Sequence, residues 1–337
     1  MNMNINKINK IFAIVIIISA IAVFITSCDY SNLQPDRLTN TEVSPDGTWL
    51  YEGLKIKSQT DIYGYDYLTE GGQKVFDLMY GEYFSGEIIS GEKGTQNFKL
   101  PEPIFYEEYK RVLMLYNAAT LRYNRPRFRY DTNDKPQWTH SDTVETVYAG
   151  GVSSGIEEID KQFLKAQEKA AEIISEMPTN LSEAEKCRYI AEYLAENVTY
   201  FTEERPSEFF MTDIGYITRE TSQGNINTAV PLPDFIAPYG AMINGEANCM
   251  GYSRAFAALA YEAEINCIVV LGEIINRGYH AWNMVKIDDN WYHIDATWID
   301  NTIFDERYFM VNDEQITKTH VPLWYGYCDF VPLPAAE

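Results

Sequence analysis

Residues 280–298 leave the chain few options. The run HAWNMVKI at 280–287 alternates like a strand, Asp288-Asp289-Asn290 supplies a turn, and WYHIDATW at 291–298 returns. With Asp288-Asp289 as a two-residue loop, Ile287 pairs with Asn290, and the same register sets Asp295 opposite Trp282. His280 lies two residues from Trp282, hence on the same face. His280 and Asp295 then become diagonal cross-strand neighbours within side-chain reach. A turn longer or shorter by one residue would reverse the parity and separate them.

The preceding stretch, YGAMINGEANCMGYSRAFAALAYEAEINCIVVLGEI, carries the other reactive group. Gly245-Glu246-Ala247-Asn248 reads as a turn, and Tyr252, Phe256, Leu259 and Ala260 recur at helical spacing after it. Cys249 is thus expected at a helix N-terminus. There the macrodipole and the free first-turn amides favour a thiolate and offer donors to an oxyanion. Asp295 would orient His280, and His280 would act as base toward Cys249 and then as acid toward a leaving amine.

The order Cys249, His280, Asp295, within the blocks YGAMINGEANCMGYSRAF, HAWN and WYHIDATW, resembles the transglutaminase-like superfamily, which shares a papain-like core. The resemblance is close over about 60 residues and extends loosely back to residue 156. It implies that Cys249 is the nucleophile, His280 the general base and Asp295 the orienting acid. It also implies an α+β fold, with helices packed on an antiparallel sheet. The residue after the nucleophile is often Gln or Glu in bacterial members, and here it is Met250. No motif places the helper oxyanion donor. Tyr239 is a candidate for it, and Trp282 a candidate for the wall of the acyl groove, although core packing is the preferred reading of both. His293 reads as packing or pocket lining. No calcium loop, glycine-rich phosphate loop or zinc-ligand spacing is present, so no metal or cofactor is expected.

The N-terminus reads as an export signal. Lys7 and Lys10 precede a 15-residue apolar run at 11–25, too short to span a bilayer comfortably. Ile25-Thr26-Ser27-Cys28 then resembles the lipobox of bacterial lipoproteins, which implies cleavage before Cys28 and lipidation of its thiol. The chain carries 49 acidic and 27 basic residues, a net charge of -22, which disfavours nucleic acid as a partner. An acidic body on a lipid tether would stand off anionic headgroups and meet partners outside the cytoplasm. Cys187 and Cys267 fall in apolar patterns and read as buried thiols, and the spacings suggest no disulfide framework.

Four segments are expected: a lipoprotein signal peptide at 1–27, a polar tether at 28–52, a smaller mixed α/β domain at 53–150, and the transglutaminase-like domain at 151–337. Tyr109, Val112, Leu113 and Tyr116 mark a helix in the first domain, and TVETVYA at 143–149 a strand. Gly150–Gly155 reads as the junction. Ser154-x-x-Glu157 and Ser182-x-x-Glu185 are capping boxes for two helices of the second domain. Residues 203–236 show little periodicity and three prolines, and read as a substrate-facing loop or a surface insertion.

The functional expectation is a lipid-anchored, extracytoplasmic cysteine enzyme that acts on amide bonds through a thioester. Peptide hydrolysis is favoured over amine transfer, with a surface protein or peptidoglycan peptide as substrate. The competing expectation is a catalytically inactive surface lipoprotein that binds peptides or glycans in the same groove. A structural or adhesion role carried by residues 53–150 is a third.

Overall fold

The computed structural model describes residues 62–85, 96–122, 128–129, 142–149, 156–201, 216–221, 224–229, 234–300, 304–326 and 328–337. Contacts divide the chain between Asn40 and Thr41, and every described residue lies in the second unit. The segments expected as signal peptide and tether, Cys28 included, and the Gly150–Gly155 junction with Ser154 lie outside the described residues.

The elements before the junction are α1 (Glu70–Ser85), β1 (Gln96–Phe105), α2 (Tyr106–Thr120), β2 (Phe128–Arg129) and β3 (Thr143–Ala149). The three strands form one antiparallel sheet in the order β1-β3-β2. The pairing of β1 with β3 shifts between Lys99 and Ile104, an interval holding Pro101 and Pro103, neither of which has an N–H to give the ladder. Tyr109, Val112 and Tyr116 are fully buried along α2 and Leu113 nearly so, as the helical spacing predicts.

Then come α3 (Ile156–Ser175), α4 (Glu183–Asn197), β4 (Thr199–Tyr200), β5 (Tyr216–Thr221), β6 (Gly224–Ala229), β7 (Glu246–Ala247) and α5 (Cys249–Glu262). The chain closes with β8 (Asn266–Ile274), β9 (Gly278–Ile287), β10 (Asn290–Ile294), α6 (Ala296–Ile299), α7 (Asp313–Ile316) and β11 (His320–Tyr325). Ser182 and Glu185 close a full capping box at the start of α4. The aperiodic stretch 203–236 contains more order than its pattern suggests. β5 and β6 pair antiparallel from Tyr216↔Ala229 to Thr221↔Gly224. Their polar, threonine- and asparagine-rich sequences lack the apolar alternation by which a half-buried strand is recognised.

A four-stranded antiparallel sheet, ordered β10-β9-β8-β11, backs the site. Asn290 pairs with Ile287 across a two-residue turn in which Asp288 and Asp289 have φ of 49° and 68°. Two successive left-handed residues are what a type I′ hairpin requires, and aspartate tolerates that region better than most residues. The expected register is therefore the observed one. β9 departs from simple alternation: His280 through Val285 are all buried, because both faces of the strand are covered.

Helix α5 lies at the centre. Gly251 through Ala260 are buried without a break, and the alanines at 255, 257, 258 and 260 allow close approach to neighbours. The core is continuous with the first part of the chain. Tyr63 meets Trp291 and Tyr325 edge-on, and Arg122 lies 3.9 Å over the ring of Tyr261 in α5. Cys187, Cys249, Cys267 and Cys328 are free thiols. Among the described residues, no helix is long and apolar enough to cross a membrane.

Candidate active site

Cys249 is the first residue of α5, and the loop before it sets its position. Asn248 has extended backbone and caps the helix, its Oδ1 accepting from the N–H groups of Met250 at 3.0 Å and Gly251 at 3.1 Å. Gly251 is required here, since a Cβ would fall 2.5 Å from the carbonyl oxygen of Phe235 and 2.8 Å from the Cβ of Ala247. The open first-turn amides expected from the sequence are thus largely used up. The cap takes two of them, and the N–H of Cys249 itself is the one that turns toward the site.

A short parallel pairing brings a tyrosine to that amide. β4 lies beside β7, with Tyr200 opposite Ala247, and the Phe201 N–H donates to the Ala247 carbonyl at 2.8 Å. The Tyr200 side chain consequently neighbours Cys249, close enough to interact with its backbone N–H and its sulfur. Burial, and then the neighbouring Cys249, push the phenol above its ordinary range. Tyr200 thus stands where the sequence reading placed Tyr239. Tyr239 instead precedes the turn Gly240–Asn244 and packs, half-buried, against Ile236 and Ala237 and the main core. Nothing local in the sequence marks Tyr200, because a two-residue parallel pair has no pattern of its own.

The sheet presents His280, and the end of the returning strand presents Asp295. His280 Nε2 lies 2.8 Å from Asp295 Oδ2, and the Cys249 side chain lies close enough to interact with the same imidazole. The three residues singled out in the sequence are therefore together. Burial works against the imidazolium, but the Asp295 charge and hydrogen bond, with Cys249, outweigh it and raise His280 to about 10. Asp295 is completely buried. Burial opposes its charge too, yet His280 and then His320 hold the carboxyl below its usual range.

Asp295 is also a helix cap. Its Oδ1 accepts from the Thr297 N–H at 3.0 Å and the Trp298 N–H at 3.3 Å, which starts α6. Its Oδ2 accepts a second imidazole, His320 Nε2, at 3.0 Å. His320 was not a candidate in the sequence, being 25 residues away with no motif around it. The ring nitrogens of His280 and His320 and the Asp295 carboxylate lie within 4.8 Å of one another. Their hydrogen bonds to each other occupy the positions a cation would need.

Trp282 takes the core role preferred for it from the sequence rather than a place on a groove wall. It is fully buried and cannot wall a groove. Its ring lies under His280 at 6.1 Å and 21°, and its indole N–H donates to His293 Nδ1 at 3.0 Å. His293 Nε2 in turn donates to Asp313 at 2.8 Å, so His293 is a packing residue with both nitrogens engaged. Gly272, opposite His280, makes room for this ring: a Cβ there would meet Trp282 at 2.5 Å and the Val321 carbonyl oxygen at 2.3 Å. The half-buried Trp298 stands on the other side of His280, with exposed Arg277 5.5 Å over its ring.

Residues 167–296 match the family model of the transglutaminase-like superfamily. Over 98 residues the chain is 28% identical to the kyphoscoliosis peptidase of Mus musculus and 26% identical to that of Homo sapiens. Each alignment covers 23% of this chain and 15% of the relative, so the chain spans about a seventh of those proteins. Among solved structures it is similar to a protein from Cytophaga hutchinsonii described as a cysteine protease, at 16% identity and a TM-score of 0.30. That match covers 49% of this chain and 43% of the other. A structure described as a TGase matches at 17% identity and a TM-score of 0.30, covering 54% of this chain and 52% of the other.

Proposed function

We propose, from a transglutaminase-like core at residues 167–296, that this chain is a cysteine enzyme that cleaves amide bonds through a thioester. The observation that carries the reading is the contact of Cys249, at a helix N-terminus, with an imidazole that Asp295 holds at 2.8 Å. In this mechanism Cys249 Sγ attacks the amide carbonyl carbon. The oxyanion that forms is received by the Cys249 N–H and the Tyr200 hydroxyl, which converge beside the sulfur. The tetrahedral intermediate collapses with cleavage of the C–N bond, and the His280 imidazolium gives its proton to the departing nitrogen. Water then adds to the thioester, His280 takes its proton, and the Cys249 thiolate leaves the new carboxylate.

Hydrolysis is favoured over transfer to an amine. Tyr200 is 43% exposed, so water reaches the thioester, whereas transfer needs a site that excludes water. The named relatives are peptidases, which agrees with this direction. The signal-like N-terminus and Cys28 support a lipid anchor outside the cytoplasm, with a surface protein or peptidoglycan peptide as substrate.

The test is a mass shift. Incubation with a pool of peptides, quenched in acid, is expected to leave an acyl group on Cys249 that hydroxylamine removes, and Cys249→Ala abolishes it. A chain that never acquires an acyl mass, with peptides left intact, contradicts the reading. Intact-mass analysis of membrane-fraction protein tests the anchor: a diacylglyceryl mass on Cys28 is expected, and an unmodified N-terminal segment rejects it.

A further inference from the structure

Asp295 Oδ2 is a fully buried carboxylate oxygen with two lone pairs, and His280 uses one of them. The second is taken by His320 Nε2 at 3.0 Å. His320 is itself completely buried. Trp282 and Trp298 meet its ring edge-on at 4.9 and 5.0 Å, and Tyr308 tilts against it at 5.9 Å. An imidazole sealed among aromatic rings costs desolvation that an apolar side chain would not, unless its polar atoms are used.

They are used in one direction. The Thr319 hydroxyl is 2.7 Å from His320 Nδ1, against 3.4 Å from the Ile316 carbonyl. An ionised carboxylate can only accept, so His320 Nε2 carries the hydrogen that faces Asp295, while the Thr319 hydroxyl engages the other ring nitrogen. Asp295 then accepts four hydrogen bonds, two at Oδ2 from imidazoles and two at Oδ1 from the amides of α6. A carboxylate with every lone pair engaged stays ionised in a buried place and cannot swing. The groups that face it are His280 from β9, His320 from β11 and Tyr200 from β4.

We propose that His320 is a positioning residue: its Nε2–H holds Asp295 ionised and aimed at His280, and so sets the imidazole that serves Cys249. The inference rests on the reading of Cys249, His280 and Asp295 given above. It implies that the constellation is four residues deep, and that β11, the strand of the four-stranded sheet furthest in sequence from the nucleophile, belongs to it.

The experiment is the pH profile of Cys249 alkylation by iodoacetamide in the full chain, with His320→Leu, His320→Gln and His280→Ala alongside. Loss of the His320 donor makes Asp295 easier to protonate. The acid limb in His320→Leu is therefore expected about one pH unit higher, with a roughly tenfold slower reaction on that limb. His320→Gln, whose amide reaches toward the same oxygen, is expected to restore most of it, which a packing role does not predict. Where His320→Leu fails to fold by circular dichroism, Thr319→Val carries the test. It removes the hydroxyl that engages His320 Nδ1, and a smaller shift in the same direction is expected.

Profiles of the folded His320 or Thr319 variants that coincide with wild type, while His280→Ala is slow, overturn this inference alone. Equal loss in His320→Leu and His320→Gln overturns it as well. An alkylation rate unchanged in His280→Ala removes the underlying site and this inference with it. Stoichiometric zinc in the purified protein, lost in His320→Leu, would make His320 a ligand and also overturn it.

Discussion

At the scale of residues, the site turns on how four buried polar groups are satisfied. Asp295 is legible in the sequence because WYHIDATW follows HAWNMVKI across a turn only two residues long, and such a turn fixes register. His320 and Tyr200 are not legible, because each reaches the site by pairing with a strand remote from it in sequence: β11 with β8, and β4 with β7. Trp282 is legible as a core residue, but its orientation is not. Its strand alternates in sequence, but both faces are covered, so the face cannot be told from the pattern. Tyr200→Phe tests the oxyanion role at this scale. Turnover is expected to fall by about 10- to 100-fold with KM little changed, since the hydroxyl matters in the transition state. A change confined to KM would assign the ring to binding.

At the scale of elements, the nucleophile is held by a cap and a close approach. Asn248 ties up two amides of α5, and Gly251 lets the helix start against the Phe235 loop. The helix was legible from Tyr252, Phe256 and Leu259. Its cap was legible only as a turn, because Asn248 acts through a contact two and three residues ahead. Replacement by alanine is expected to cost about 1 kcal/mol in thermal or denaturant melts. It also frees the Met250 and Gly251 amides, so Asn248→Ala should redirect the helix N-terminus while leaving the sheet intact. An unchanged melting temperature would show that the cap contributes nothing. The β5–β6 hairpin is the element the sequence hid most fully, because its polar residues carry no burial signal.

At the scale of the whole molecule, charge and burial are distributed so that one thiol differs from the rest. Burial pushes Cys187 and Cys328 up to about 12 and Cys267 upward too, whereas Cys249 alone among these four contacts an imidazole. The same groups give the fold a pH dependence with a definite sign. His280 is raised on folding, so its contribution to stability is complete below about 6.5 and is lost as pH climbs through about 10. Asp295 is lowered, so its contribution is present above about 3.8 and is lost as pH falls below that. The α+β architecture and the order of its central elements were legible in the sequence, because hydrophobic period and turn chemistry agree there. The continuity of the core with the first part of the chain was not, since Tyr63 on Trp291 and Arg122 on Tyr261 are contacts between distant positions. The most direct test of the account is thiol labelling across pH, read site by site by mass spectrometry in wild type and His280→Ala. Cys249 is expected to label near neutral pH while Cys187, Cys267 and Cys328 stay silent, and His280→Ala is expected to slow the labelling of Cys249. Labelling of Cys249 no faster than that of the three buried thiols, or labelling that ignores His280, would contradict it.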